Sequence, residues 1–182
     1  MKTFMKAVIA AAILMICVPA ASMAADPTAV AVVDVQKLLK DSKAGVNIQQ
    51  QLETHKTKFL AEIAQQEQKL RDDEKALSGQ RSSLPAEEFA KKAKAFESEL
   101  TESRRVAQER KKALEDAASK SIGKLRDEIL KIVQQISDEK GYSLVINSQN
   151  VVINSKGMDI TDETLARLDK AVSEIALEIA DK

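Results

Sequence analysis

The chain is poor in the residues that carry covalent and metal chemistry. It has one cysteine and one histidine in 182 residues, too few for a disulfide framework or a cysteine–histidine metal site. Aromatic residues make up 3% of the sequence and tryptophan is absent, which argues against a large compact core. The five glycines form no phosphate-cradling loop. Neighbouring carboxylates such as Asp72, Asp73 and Glu74 point to different sides of a helix and make no acid–base pair. His55, the single histidine, falls in a heptad pattern and reads as a packing or surface residue rather than a base. The expectation is a protein that is not an enzyme and uses no cofactor.

What is present begins with a leader. Lys2 and Lys6 precede an apolar run at residues 7–18. At about 12 residues it is short for a membrane span and suited to a signal peptide. Ser22-Met23-Ala24 fits the small-x-small rule for cleavage after Ala24. Residues 1–24 are therefore expected to leave on export, with an uncleaved anchor as the alternative. Cys17 leaves with them, so no disulfide is available. Ile16 stands where a lipoprotein signal would have a small residue, so that reading is rejected. Losing two lysines leaves 26 basic against 28 acidic residues, a net charge of −2. That balance, together with export, gives no support to nucleic-acid binding.

Residues 29–35 form an apolar, β-branched run interrupted at Asp34, which predicts a buried strand. Asp34 is expected to cap a short helical turn that ends near Gly45.

From residue 46 to residue 140 the sequence reads as long helix. Apolar residues recur at Ile48, Leu52, Phe59, Ile63, Leu70 and Leu77 in a first limb. Phe89, Ala93, Phe96, Leu100, Ala107 and Leu114 follow in a second, which continues through Leu125, Ile129, Ile132 and Ile136. Heptad-like steps give each limb one apolar stripe in need of a partner. The stretch ALSGQRSSLPAEEF, residues 76–89, breaks the run. Gly79 is suited to a left-handed helix end, Pro85 to the first turn of the next helix, and Glu87 and Glu88 to its positive pole. The limbs are thus expected to fold back as an antiparallel hairpin. Residue numbers summing to 166 then pair Leu77 with Phe89, Leu70 with Phe96, Phe59 with Ala107 and Leu52 with Leu114, while Ile63 meets Ser103 weakly. A continuous parallel coiled coil with a flexible loop is the alternative.

Past Gly141, a helix cap, residues 142–146 and 151–153 read as two strands of a β-hairpin around a polar turn. Thr161 is expected to N-cap a closing helix bearing Leu165, Leu168, Val172, Ile175 and Ile179 at amphipathic spacing. The fold class is α+β and mostly helical. About three short strands per chain form a small sheet from which the hairpin projects. Exposed apolar strand edges invite another copy, so the sheet is expected to be shared in an oligomer. Residues 25–46 and 117–182 would make the body, with Val30, Val32, Val33, Val35, Leu144, Val145, Ile146, Val151, Val152 and Ile153 as its oligomer surface. Residues 47–116 would make the hairpin.

VAVVDVQKLLKDSKAG before the charged helices, DEKGYSLVINSQNVV after them and DITDETLARLDKAV near the end resemble the Skp/OmpH family of periplasmic chaperones. The likeness spans residues 30–172. It implies a homotrimer with a sheet body and three helical tentacles around a cavity. It also implies a periplasmic holdase that keeps unfolded outer-membrane proteins from aggregating, without ATP, and delivers them for insertion. The best-known members are strongly basic, whereas this mature chain is slightly acidic.

The distal hairpin is more basic than the whole: residues 78–112 carry nine basic and six acidic side chains. Arg81, Lys91, Lys92, Lys94, Arg104 and Arg105 are candidates for client contact. Contact of the protein with membrane lipid or lipopolysaccharide is a separate expectation. A solvated face with helix pairs such as Glu87–Lys91, Glu88–Lys92 and Glu109–Lys112 is the plainer reading. Leu60 and Leu84 lie off the seam and are apolar contact candidates. A structural adaptor whose hairpin docks one folded envelope partner is the alternative function.

Overall fold

The computed structural model describes residues 29–180; the expected signal peptide and Cys17 lie outside that range. Strand β1 (Val30–Val33) leads into helix α1 (Val35–Asp41), which is followed by α2 (Lys43–Gly79), α3 (Ala86–Lys140), strand β2 (Leu144–Asn147) and helix α4 (Thr161–Ala171). β1 and β2 pair in parallel, with Val30 opposite Leu144 and Val33 opposite Asn147. A parallel pair needs a crossover, and here the entire helical hairpin serves as one.

The first strand is shorter than its apolar run. Val35 is already helical, because the Asp34 carboxylate accepts a hydrogen bond from the Lys37 amide at 2.9 Å and caps α1. Gly45 does not end a helix. Ser42 breaks the chain between α1 and α2, its hydroxyl accepting from the Gly45 amide. A Cβ at Gly45 would sit 2.1 Å from the carbonyl oxygen of Leu39, so this tight corner admits only glycine.

The distal turn forms where expected but by a different route. Gly79 stays helical and Gln80 follows it in right-handed geometry, its amide shared among the carbonyls of Ala76, Leu77 and Ser78. Pro85 is the residue before the first turn of α3, with Glu87 and Glu88 inside that turn. Among the described residues the left-handed position is Gly141, at φ 70°, which ends α3. At 1.5 Å per residue the 37 residues of α2 span about 55 Å and the 55 of α3 about 80 Å.

Three further expectations are corrected. Residues 151–153 are not a strand: the Asn147 side chain accepts from the Gln149 amide and starts a 3-10 turn at Ser148–Asn150. Beyond the turn Val152 and Ile153 are 98% and 88% exposed. The third position beside β1 is instead a single bridge from Val32 to Asp159. β-branched composition favours a pleated, half-buried setting, and within one chain these residues find no partner. Thr161 is not the cap of α4. It is the first helical residue, its hydroxyl accepts from the Asp34 amide, and the Asp159 carboxylate accepts from the Thr161 amide. Finally, α4 stops at Ala171, and residues 172–180 are not helical.

The core lies at the body end of the hairpin. Ala31 and Val33 of β1, Leu38 of α1, Ile48 of α2, Leu125, Ile129 and Ile136 of α3, and Leu168 of α4 pack together with little or no exposure. Arg167 of α4 makes two hydrogen bonds to Glu139 of α3, at 2.7 and 2.8 Å, and one to Glu163, which also meets Lys140. These pairs fix α4 on the end of α3.

Candidate functional site: the hairpin and its basal cleft

The burial of α2 follows its heptad stripe. Leu52, His55, Phe59, Ile63, Gln66, Asp73 and Leu77 are half-buried and Leu70 is buried, while most residues between them are exposed. On α3 the stripe runs through Phe89, Phe96, Leu100, Ala107 and Leu114, all half-buried. Both stripes are therefore turned away from solvent, but only thinly. Cross-limb pairs reinforce them: Lys69 meets Glu99, Arg110 meets Glu62, and Lys92 donates to the Gln80 side chain at 2.7 Å.

The charged candidates lie outside this seam. Arg81, Lys91, Lys92, Lys94, Arg104 and Arg105 are all exposed. Lys91 pairs with Glu87 as expected. Arg105 binds Glu102 and Glu109, and these hydrogen bonds hold its guanidinium still more firmly in the charged form. Glu109 is thus taken by Arg105, and Lys92 by Gln80, rather than by the expected partners. Leu60 stands 55% exposed on α2, whereas Leu84 is half-buried in the turn.

A feature that the periodicity argument missed lies at the hairpin base. Residues 172–180 run across both limbs as a strap. The Gln51 side chain donates to the Ile175 carbonyl and accepts from the Leu177 amide, both at 2.9 Å. The Ser121 hydroxyl donates to the Ala176 carbonyl at 3.1 Å. Lys120 and Lys124 both bind Glu178, and their hydrogen bonds hold its carboxyl below the usual carboxylate range. Leu177 is buried and Ile175 and Ile179 are half-buried, while Ala176, Glu178 and Ala180 are exposed. Ile175, Leu177 and Ile179 alternate with period two, which was the available signal for extended chain. Beside the strap a cleft of about 950 Å³ opens between the limbs, lined by His55, by apolar Phe59, Val106, Leu114 and Ala117, and by charged side chains of both limbs such as Lys58, Glu62, Arg110 and Asp116.

The oligomer-surface candidates separate into two groups. Val32 and Val33 are buried within the single chain, and Val30, Val35, Val145, Ile146 and Val151 are half-buried. Leu144, Val152 and Ile153 are exposed, as are Ile122 and Leu130 of α3. Among the described residues no helix is long and apolar enough to cross a membrane.

Comparison with known proteins agrees with this architecture. No curated protein matches the chain significantly. A crystal structure from Caulobacter crescentus CB15, assigned as an OmpH-like outer membrane chaperone, superposes with a TM-score of 0.77 at 21% identity. The match covers 82% of this chain and 88% of that one, and at this identity it speaks for the fold. The family model described as outer membrane protein (OmpH-like) matches residues 29–168, from the start of β1 through Leu168 of α4. A body of two parallel strands with a helical hairpin as its crossover, matched over that length, places the chain in the OmpH-like outer membrane protein family.

Proposed function

We propose that the protein is an ATP-independent periplasmic holdase. It binds unfolded outer-membrane β-barrel proteins, prevents their aggregation and passes them on for insertion. The observation that carries this reading is the hairpin itself, whose half-buried apolar seam is flanked by exposed charges of both signs. Such a surface offers many weak, dispersed contacts, which suits a binder that must release its client without an energy source. Membership of the OmpH-like family and the Caulobacter structure's assignment as an outer membrane chaperone support it. Exposed Leu144, Val152 and Ile153 support a shared body, and we read the active form as a homotrimer whose hairpins surround the client. The basic surplus at residues 78–112 favours acidic client segments and anionic lipid or lipopolysaccharide at the tips.

The test uses residues 25–182. Light scattering gives the mass, and an unfolded outer-membrane β-barrel protein diluted from urea into the same sample gives turbidity. A trimer that keeps the client soluble near one trimer per client is expected. A stable oligomer without effect on turbidity would transfer the function to an adaptor that binds one folded partner.

A further inference from the structure

We propose that the groove at the hairpin base is a receptor for extended polypeptide with alternating apolar side chains, and that residues 172–180 are its tethered occupant. The inference rests on the holdase reading and names the form in which a client segment is gripped. An incoming strand displaces the strap.

The contacts that hold the strap recognise backbone. Gln51 presents its amide N–H to one carbonyl and its amide oxygen to the N–H two residues on, and Ser121 takes the carbonyl between. Three consecutive residues are read without reference to their side chains. Extended peptides that pair with a sheet edge are gripped in the same way, with pockets for every second side chain. Here those positions are Ile175, Leu177 and Ile179, while Ala176, Glu178 and Ala180 face outward. This period of two is that of a transmembrane β-barrel strand, apolar on one face and polar or small on the other. The strap therefore has the pattern of the proposed clients.

The groove also has room beyond its occupant. The cleft beside the strap continues between the limbs, where Phe59, Val106 and Leu114 alternate with charged Lys58, Glu62 and Arg110, so a longer segment with one apolar and one polar face can follow the same line. Displacement is inexpensive. Glu178 is held by Lys120 and Lys124 at more than 40% side-chain exposure on every partner, and exposed pairs of this kind stabilise little. Leu177 is the one buried anchor of the strap.

The probe is a fluorescein-labelled synthetic peptide of residues 172–180, with a shuffled peptide in which the two isoleucines and the leucine are contiguous. Binding is followed by anisotropy on the full mature chain. Glu178→Lys sets the strap against Lys120 and Lys124, and Leu177→Ser with Glu178→Lys also removes the buried anchor. Removing a tethered competitor raises the binding-competent fraction, so the double variant is expected to bind the peptide roughly tenfold tighter than wild type. Glu178→Lys alone, a surface change that leaves the packing intact, falls between. Gln51→Leu in the double-variant background abolishes the gain, and the shuffled peptide binds weakly throughout. Equal affinity in wild type and both strap variants overturns the proposal, as does equal binding of the shuffled peptide. Client turbidity measured alongside separates the two readings. Suppressed aggregation with no peptide gain leaves the holdase and removes the groove. Peptide gain without suppressed aggregation leaves a strand-binding groove and removes the holdase.

Discussion

Gly45 shows how one position can determine a corner. A methyl group there meets the Leu39 carbonyl oxygen at 2.1 Å, and that oxygen belongs to backbone that cannot rotate away. Gly45→Ala is expected to destabilise the chain by at least about 2 kcal/mol, within the range for overpacking, read as a lower urea midpoint. Asp34 was legible as a cap because an acidic residue at the end of an apolar run has few other uses. Its second bond was not legible. The Asp34 amide donates to Thr161, 127 positions away, and local pattern carries no information about so distant a partner. The same distance explains the misread cap of α4, since Thr161 had the composition of an N-cap while its hydroxyl was already engaged.

The two long helices were read from their periodicity, and the structure follows that stripe residue by residue. Beyond Ile48, which belongs to the body core, Leu70 is its best-buried member on α2. Leu70→Ala is expected to cost about 2 kcal/mol, the low end for a core leucine because solvent lies close. Amide exchange should quicken around residues 63–77 and 89–103 while the body stays protected. The closing segment was misread because Leu168, Val172, Ile175 and Ile179 satisfy helical spacing while Ile175, Leu177 and Ile179 satisfy strand spacing. Gln51 and Ser121 decide between the two, and both lie on other helices. Docking of α4 should depend on pH. Hydrogen bonds from Arg167 to Glu139 and from Lys140 to Glu163 lower both carboxyls' pKa below the usual value. Their contribution is complete above the unfolded carboxylate value of about 4.3 and is lost as pH falls through the lower folded values. The melting temperature of wild type is expected to drop more than that of Glu163→Gln between pH 7 and pH 3, followed by circular dichroism.

For the molecule as a whole, the sequence showed a small body and a long projection, but assigned one strand too many. Residues 151–153 have strand composition, yet Val152 and Ile153 stand in solvent, which marks these two as surface that the single chain leaves uncovered. Val152→Glu with Ile153→Glu is expected to lower the mass seen by light scattering to that of one chain while helicity is kept, since neither side chain packs within the protomer. An oligomer whose mass is unchanged would place the proposed shared surface elsewhere, with Leu130 and Leu144 the next residues to test.

The parallel pairing of β1 with β2 has a consequence for how the protein comes into being. Ala29 and Ser143, hydrogen-bonded beside the first strand pair, are 114 positions apart. Closing so long a loop in a random chain is entropically costly and slow. The hairpin between them folds from neighbouring residues and brings its own ends together, so the sheet is the last part to close. Synthesis runs from the N-terminus, so β1 is finished more than a hundred residues before its partner exists. For that interval Ala31, Val32 and Val33 are an apolar segment without the partner that covers them in the folded chain. Each newborn copy thus passes through the kind of state that its mature form is proposed to shelter in others.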